Sequence, residues 1–391
     1  MSKRKNADDA PAAGTSVEQR PYTYIWLDCD PGHDDAMAII LATHYPDDVR
    51  HQEYVPHLVG VSTVCGNAPL EATTENALRV LHLVGKDDVP VFKGADKPLV
   101  RPRRNCPEIH GAGGLDGVVI PPADREANPG KAVHAIAEAV TRCKREHDAR
   151  GRPKDAFKFK LVATGALTNV ALFLSVYPEL IPALSVVFMG GSMGRGNTGP
   201  VAEFNMQCDP EAAKCVFESG VDLTMVPLEL THTAIYTERV RDVWKKIIVH
   251  PSADGPWTPS DEGEGGIFLA SYFLEVVDAW MQFFAKTYED VFGFEDGPPL
   301  HDPCAVLYAI DPELFEVEKM RVDVECASDL SAGQTVCDFW KQSGKPANCA
   351  VATRFRDTGG DWPAKEFWDI MIGAIYKADD VSFTRPRRRL D

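Results

Sequence analysis

The chain has 391 residues, enough for a substantial α/β core, and its 44% hydrophobic and 25% charged residues are the balance of a soluble globular protein. A formal net charge of −17 argues against a general binder of nucleic acid or of anionic membranes. No apolar run approaches the roughly 20 residues of a spanning helix.

Residues 1–21, MSKRKNADDAPAAGTSVEQRP, have no apolar h-region and read as a disordered lead without a secretory signal. YTYIWLD (22–28) is strand-like and runs into an aspartate cluster. DDAMAIILATHY (34–45) follows as a helix apolar on most sides, hence buried. LVGVSTVCGN (58–67) reads as a strand and its loop, EATTENALRVLHLVG (71–85) as a helix, and VPVF (89–92) as a short strand. HGAGGLDG (110–117) is a glycine-rich loop carrying His110. A helix is predicted over 128–147, with Asn128 as cap and Pro129 in its first position. Strands at 159–164, 184–191 and 222–228 alternate with helices from 165 and over 209–220, the latter ended by Gly220.

A Pro/Gly/Ser/acid-rich stretch at 250–266 reads as a long loop before a helix at 267–293. HDPCAVLYAI (301–310) is followed by strand-like runs at 316–325, 333–338 and 347–354, and a last helix is expected near 363–377. The β-α-β-α order predicts one α/β domain over 22–378: a mostly parallel sheet with helices on both faces, followed by a basic tail, 379–391. Ten scattered cysteines without a C-x-x-C pair read as reduced thiols of a cytoplasmic protein.

DCDPGHDDA (28–36) places Asp28, Asp30, Asp34 and Asp35 within eight positions. One aspartate at a helix start can be a cap. Four around a single turn repel one another unless some are protonated or a cation is shared, and carboxylate oxygens suit Ca²⁺ or Mg²⁺. Pro31 and Gly32 supply the sharp turn that would bring Asp30 and Asp35 to one point. Asp302 of HDP could add a third carboxylate, and a carbonyl of the VATGALTN turn (162–169) a further oxygen.

The chain resembles the inosine-uridine-preferring nucleoside hydrolases through an ordered series of motifs. These are LDCDPGHDDAMAI (27–39), VCGNAPLE (64–71), HGAGGLDG (110–117), ATGALTNVAL (163–172), MGGSMGRGNTGPVAEFNMQCDPEAA (189–213), PLELTH (227–232) and HDPCAV (301–306). The resemblance implies calcium-dependent hydrolysis of the N-glycosidic bond of ribonucleosides to free base and ribose. It implies Asp30, Asp35, Asp302 and the Thr164 carbonyl as calcium ligands, with Asp30 also the base toward the attacking water. Asp34 would grip a ribose hydroxyl, with Asn67 near the ribose and the water. Asn197, Glu203 and Asn205 would hold the sugar hydroxyls, His301 would protonate or stabilise the departing base, and His110 would lie near that base. The family's homodimers and homotetramers are implied too, and with them a place in pyrimidine or purine salvage.

Two departures stand out: His33, where an apolar residue is common, and Ala112–Gly113 between HG and GLDG. His33 could tune the carboxylates or point away. Trp257 and Tyr288 are candidates for covering the base by stacking, against ordinary packing. The chemistry is coherent: glycosidic cleavage passes through an oxocarbenium-like state. Carboxylates stabilise it, a metal activates water, and an acid assists the leaving group. A D-x-D phosphatase fits Asp28 and Asp30 but not the second aspartate pair or the distant HDP. The alternative from another class is a catalytically inactive calcium-containing nucleoside-binding protein.

Overall fold

A computed structural model of the protein describes residues 21–46, 54–249, 271–356 and 364–382. The expected lead up to residue 20, the 250–266 loop with Trp257, and the basic tail from 383 lie outside these residues. The strands are β1 (Tyr22–Cys29), β2 (Val55–Thr63), β3 (Val91–Lys93), β4 (Lys158–Ala163), β5 (Ser185–Met189), β6 (Asp222–Val226), β7 (Phe315–Met320), β8 (Val322–Val324), β9 (Thr335–Cys337) and β10 (Cys349–Phe355).

Eight of them form one sheet in the order β3-β2-β1-β4-β5-β6-β10-β7, parallel except for β7, which runs against β10 at the edge. The expected single α/β domain with a mostly parallel sheet is what forms. β1 is buried from Thr23 onward, as a near-continuous apolar strand with helices on both faces must be. Its alternate side chains serve two cores. Ile25, Leu27 and Cys29 pack with the helices His33–His44, Tyr272–Phe292, Asp302–Ile310 and Lys365–Val381. Tyr24 and Trp26 pack with Ala132–Ala149, Thr168–Val176 and Pro210–Glu218.

The chain lays down β1, β2 and β3 in one direction, then returns to place β4 on the other side of β1. The sheet's switch point therefore lies between β1 and β4, where a crevice opens at the carboxyl ends of parallel strands. The DPG turn leaves β1 there, and Thr164 leaves β4 there, its N–H bonded to the Asp28 carbonyl at 2.8 Å.

Local expectations differ in three places. The helix expected from Asn128 begins at Ala132. Asn128 instead pairs with edge strand β3, its N–H donating to the Val91 carbonyl and its Oδ1 accepting from the Val91 N–H at 3.0 Å. An edge strand with unpaired backbone groups outcompetes a cap that the helix can do without. The run 316–325 breaks at Arg321: β7 stays in the main sheet, while β8 pairs with β9 in a separate two-stranded ribbon. The last helix continues to Val381, and the Ser382 hydroxyl donates to the Leu83 carbonyl at 2.8 Å.

Candidate active site

A cavity of about 870 Å³, counted to its open mouth, sits over the β1–β4 crevice. Asp34, Asn67, His110, Thr164, Asn197, Glu203, Asn205, His301 and Asp302 all line it. The structure thus gathers residues spread over nearly 270 positions, and only Asp30 and Asp35 lie beneath its surface.

Asp30 is fully buried. Its Oδ2 accepts the Asn67 N–H at 2.7 Å, and its Oδ1 has no protein partner among the described residues. Cα atoms pack against both of its edges: a Cβ added at Gly66 would collide with Oδ2, and one at Gly165 with Oδ1. Glycine is needed at both positions for this close approach rather than for a special turn. Asp35, in the first turn of His33–His44, caps its own helix by accepting from the Gly32 N–H at 3.0 Å. Its remaining capacity takes the Thr164 hydroxyl at 2.8 Å, the Asn67 amide at 3.1 Å and the Asp30 N–H at 3.2 Å.

Oxygens of Asp34, Asp35 and Asp302 lie within 4.8 Å of one another, all buried. This three-carboxylate group contains Asp34, which the resemblance assigns to the sugar, and leaves Asp30 to one side. Asp34 Oδ1, like Asp30 Oδ1, has no protein partner. Desolvation pushes the Asp30, Asp34 and Asp302 carboxyls well above the usual range, and repulsion from the neighbouring carboxylates adds to it. Asp35 is raised as well, chiefly by burial, against the pull of its hydrogen bonds. No lysine or arginine forms a salt bridge with any of the four among the described residues. Unpartnered carboxylate oxygens, no soft ligand and no protein counter-charge are the donor set of a hard divalent cation, so these residues fit one.

Asp28, the fourth member of the cluster, serves another purpose. Its Oδ1 takes the Ser62 hydroxyl and the Asn169 amide, the latter at 2.8 Å, behind the site, and burial raises its carboxyl to about 7.

Further along the cavity wall, Glu203 is the N-cap of Phe204–Cys208. Its carboxylate accepts from the N–H groups of Asn205 and Gly191, each at 2.9 Å, and of Met206 at 3.2 Å. Burial nonetheless lifts it to about 7. Asn205 donates to the carbonyls of Thr164 at 2.7 Å and Met189 at 3.2 Å, and Asn197 Oδ1 accepts the Phe204 N–H at 3.0 Å. The Thr164 carbonyl, implied as a cation ligand, is therefore already one acceptor of an Asn205 bond.

At the other end, His301 Nδ1 meets the Thr231 hydroxyl and Nε2 the Tyr288 hydroxyl, each at 2.7 Å. Burial, with His232 next to it, holds the imidazole well below its ordinary basicity. Tyr288 lines the cavity, but its role is polar: the hydroxyl holds a histidine. His110 is not on an exposed loop. It ends the one-turn helix Pro107–His110, is only 6% exposed, and stacks on Phe284. The loop after it closes round Asp116, whose carboxylate accepts from the Ala112 and Gly113 N–H groups, so the two inserted residues are accommodated. His33 points away from the carboxylates, toward His110.

Three contributors escaped sequence reasoning. Thr231 lay inside a quoted motif without a role. Cys106 approaches Asn67 Oδ1 at 3.3 Å through its sulfur. Asn76 ties the DPG turn to the glycine loop by donating to the carbonyls of Pro31 at 3.0 Å and Gly113 at 2.8 Å. A buried asparagine on an apolar helix face was the only visible signal for the last.

Comparison with known proteins agrees with this architecture. Residues 25–359 match the family described as inosine-uridine preferring nucleoside hydrolase. A probable ribonucleoside hydrolase of Dictyostelium discoideum is 39% identical over 356 residues, covering 90% of this chain and 94% of its own. A pyrimidine-specific ribonucleoside hydrolase, RihA, of Shewanella baltica is 38% identical over 364 residues, covering 93% and 99%. Among solved structures, a purine-preferring ribonucleoside hydrolase from Gardnerella vaginalis superposes with a TM-score of 0.73 at 26% identity, covering 91% of this chain and 99% of that one. The chain belongs to the inosine-uridine-preferring nucleoside hydrolase family, enzymes that hydrolyse the N-glycosidic bond of ribonucleosides.

Proposed function

We propose that the protein is a calcium-dependent ribonucleoside hydrolase, acting on uridine, inosine or a related ribonucleoside and releasing free base and ribose. The observation that carries this reading is the buried group Asp34, Asp35 and Asp302 beside Asp30 at the floor of the cavity, with carboxylate oxygens left unpartnered. Asp30, Asp35, Asp302 and the Thr164 carbonyl would hold the ion, with Asp34 within reach of both ion and sugar. When bound, the ion neutralises the carboxylates and acidifies the water that attacks the anomeric carbon.

The chain's own residues supply the rest. Asp30, fixed by the Asn67 N–H and flanked by two glycines, takes the water's proton through its unpartnered oxygen. Asp34 and Asn67 grip the ribose at the reacting end, while Asn197, Glu203 and Asn205 hold its far hydroxyls. Carboxylates in a low-dielectric floor stabilise the cationic sugar as the bond opens. His301, held between Thr231 and Tyr288, passes a proton toward the departing base. The two hydroxyls orient the imidazole for that transfer.

The relatives named above divide between pyrimidine and purine substrates, so the base is left to assay. No helix among the described residues is long and apolar enough to cross a membrane, and all ten cysteines are free thiols. The thiols support a reducing, cytoplasmic setting, where nucleoside catabolism and salvage would use the products. A homodimer or homotetramer follows from the family resemblance alone. Ribose release from uridine and from inosine, before and after chelation and calcium return, tests the whole reading. Activity that survives complete removal of divalent ions would refute it.

A further inference from the structure

A second cleft, of about 920 Å³ counted to its open mouth, lies at the amino ends of β4, β5 and β6, the opposite end of the strands from the active-site cavity. Lys144, Lys154, Lys158 and Lys160 line it, against two aspartates, Asp148 and Asp222. In a chain of net charge −17 this is a local excess of positive charge. Lys158 and Lys160 are half-buried and, two positions apart on β4, share one face of the sheet. Across the strands Lys160 is in register with Ser185 at the start of β5, and Ser185 with Asp222 at the start of β6. Lys160 Nζ donates to the Ser185 hydroxyl at 2.8 Å instead of reaching the carboxylate. Burial holds its ammonium below ordinary lysine basicity, opposed by the Asp222 charge and reinforced by Lys158. Lys158 Nζ sits over the Tyr54 ring, 3.6 Å from its centroid. Among the described residues none of the four lysines, and neither aspartate, forms an ion pair. Four ammonium groups around one cleft repel one another, and an anion shared between them removes that cost.

We propose that this cleft is a second binding site, for a phosphorylated sugar, with the lysines holding the phosphate and the aspartates the hydroxyls. Lysines are point charges that suit a phosphate, and each ammonium has three donors, so Lys160 keeps two beyond its bond to Ser185. The aspartates decide the class of ligand. An ionised carboxylate only accepts, so it repels a bare anion but pairs with the hydroxyls of a sugar. Phe157 and Pro182 add an apolar wall for the carbon skeleton. The site is separate from the chemistry: Lys160 precedes Thr164 by four residues, roughly 13 Å of extended chain, and no residue lines both cavities. The inference therefore stands apart from the nucleoside hydrolase reading.

The test is calorimetric titration of the full-length protein at low ionic strength with ribose 5-phosphate, inorganic phosphate and ribose. Ribose 5-phosphate should bind most tightly, and added monovalent salt should weaken it by screening. Lys160→Met, which keeps the length of the side chain without its charge, should weaken binding about tenfold, the worth of one charge-assisted hydrogen bond. Its thermal midpoint checks that it folds. Should it fail to fold, the exposed pair Lys144→Glu and Lys154→Glu replaces it, with the same loss expected. Asp34→Ala, altered only at the active site, should bind ribose 5-phosphate as wild type does. No binding of ribose 5-phosphate or phosphate, or binding unchanged in the folded lysine variants, overturns the proposal. Binding lost in Asp34→Ala but kept in the lysine variants puts the ligand in the active-site cavity and overturns it too. Equal affinity for inorganic phosphate overturns the sugar half and leaves a free-phosphate site.

Discussion

Substituting Gly66 by alanine should cripple turnover without unfolding the protein. The backbone at Gly66 is outside the left-handed region, so alanine meets no conformational penalty there. The collision is with one side chain. The new methyl would overlap Asp30 Oδ2 and stand 2.9 Å from its Cγ, against roughly 3.5–4 Å for ordinary carbon contacts. Asp30 cannot retreat, because the Gly165 Cα closes the opposite edge, where an added Cβ would be 2.8 Å from the same Cγ. The carboxylate must therefore rotate or shift by about 1 Å, which breaks its bond from the Asn67 N–H and misaligns it with the reacting water. A misplacement of that size costs on the order of 10²-fold in rate, and the overpacking about 1–3 kcal/mol of stability. The assay is kcat for ribose release, read beside the thermal midpoint. Gly194→Ala is the control, since an added Cβ there meets nothing within 4 Å. A folded Gly66→Ala enzyme with wild-type kcat would refute the placement of Asp30 in the chemistry.

Removing the imidazole in His301→Ala should lower turnover by about 10²–10⁴-fold on a nucleoside with a poor leaving group. Tyr288→Phe, which leaves the ring but removes its hydroxyl, should lose less; unchanged rates on both uridine and inosine for His301→Ala would sink the assigned role. Calcium affinity should rise with pH. Burial and mutual repulsion raise the Asp30, Asp34 and Asp302 carboxyls, so they hold protons at pH values where exposed aspartates do not, and the ion must expel them. Calorimetric titration in buffers of different ionisation enthalpy counts those protons, and binding that releases none would contradict the assignment. Glu203→Ala removes a three-bond helix cap and should cost about 1–2 kcal/mol of stability as well as raising KM; an unchanged thermal midpoint would count against the capping role.

Much of the fold was legible because it follows from local rules. The apolar run 22–28, the buried helix after it and the β-α alternation demand a parallel sheet covered on both faces, and that sheet forms. The charge density of the acidic DPG turn suggests a shared cation, whereas the nucleoside is implied only by the family that the ordered series of motifs resembles. What the chain order could not reveal was the path through space. Asn128 reads as a helix cap from its neighbours, yet it pairs with β3, because an unpaired strand edge 37 residues earlier lies beside it. Glu203 is singled out in the sequence only through the motif it shares with the family, and nothing there shows that it caps a helix and accepts an amide from Gly191. Asp28 looks equal to its three neighbours in the cluster. The pleat of β1 turns it toward Ser62 and Asn169, away from the carboxylates that meet in the crevice.

By itself, the sequence determined the class of fold, since periodicity and turn residues act over a few positions, and its ordered motifs identified the family. Only the tertiary structure decided which oxygens share a point, which are left without a partner, and that His33 faces a second histidine rather than the aspartates beside it. Those outcomes depend on hydrogen bonds and close packing between segments tens to hundreds of residues apart, and such contacts exist only once the sheet has closed around its switch point.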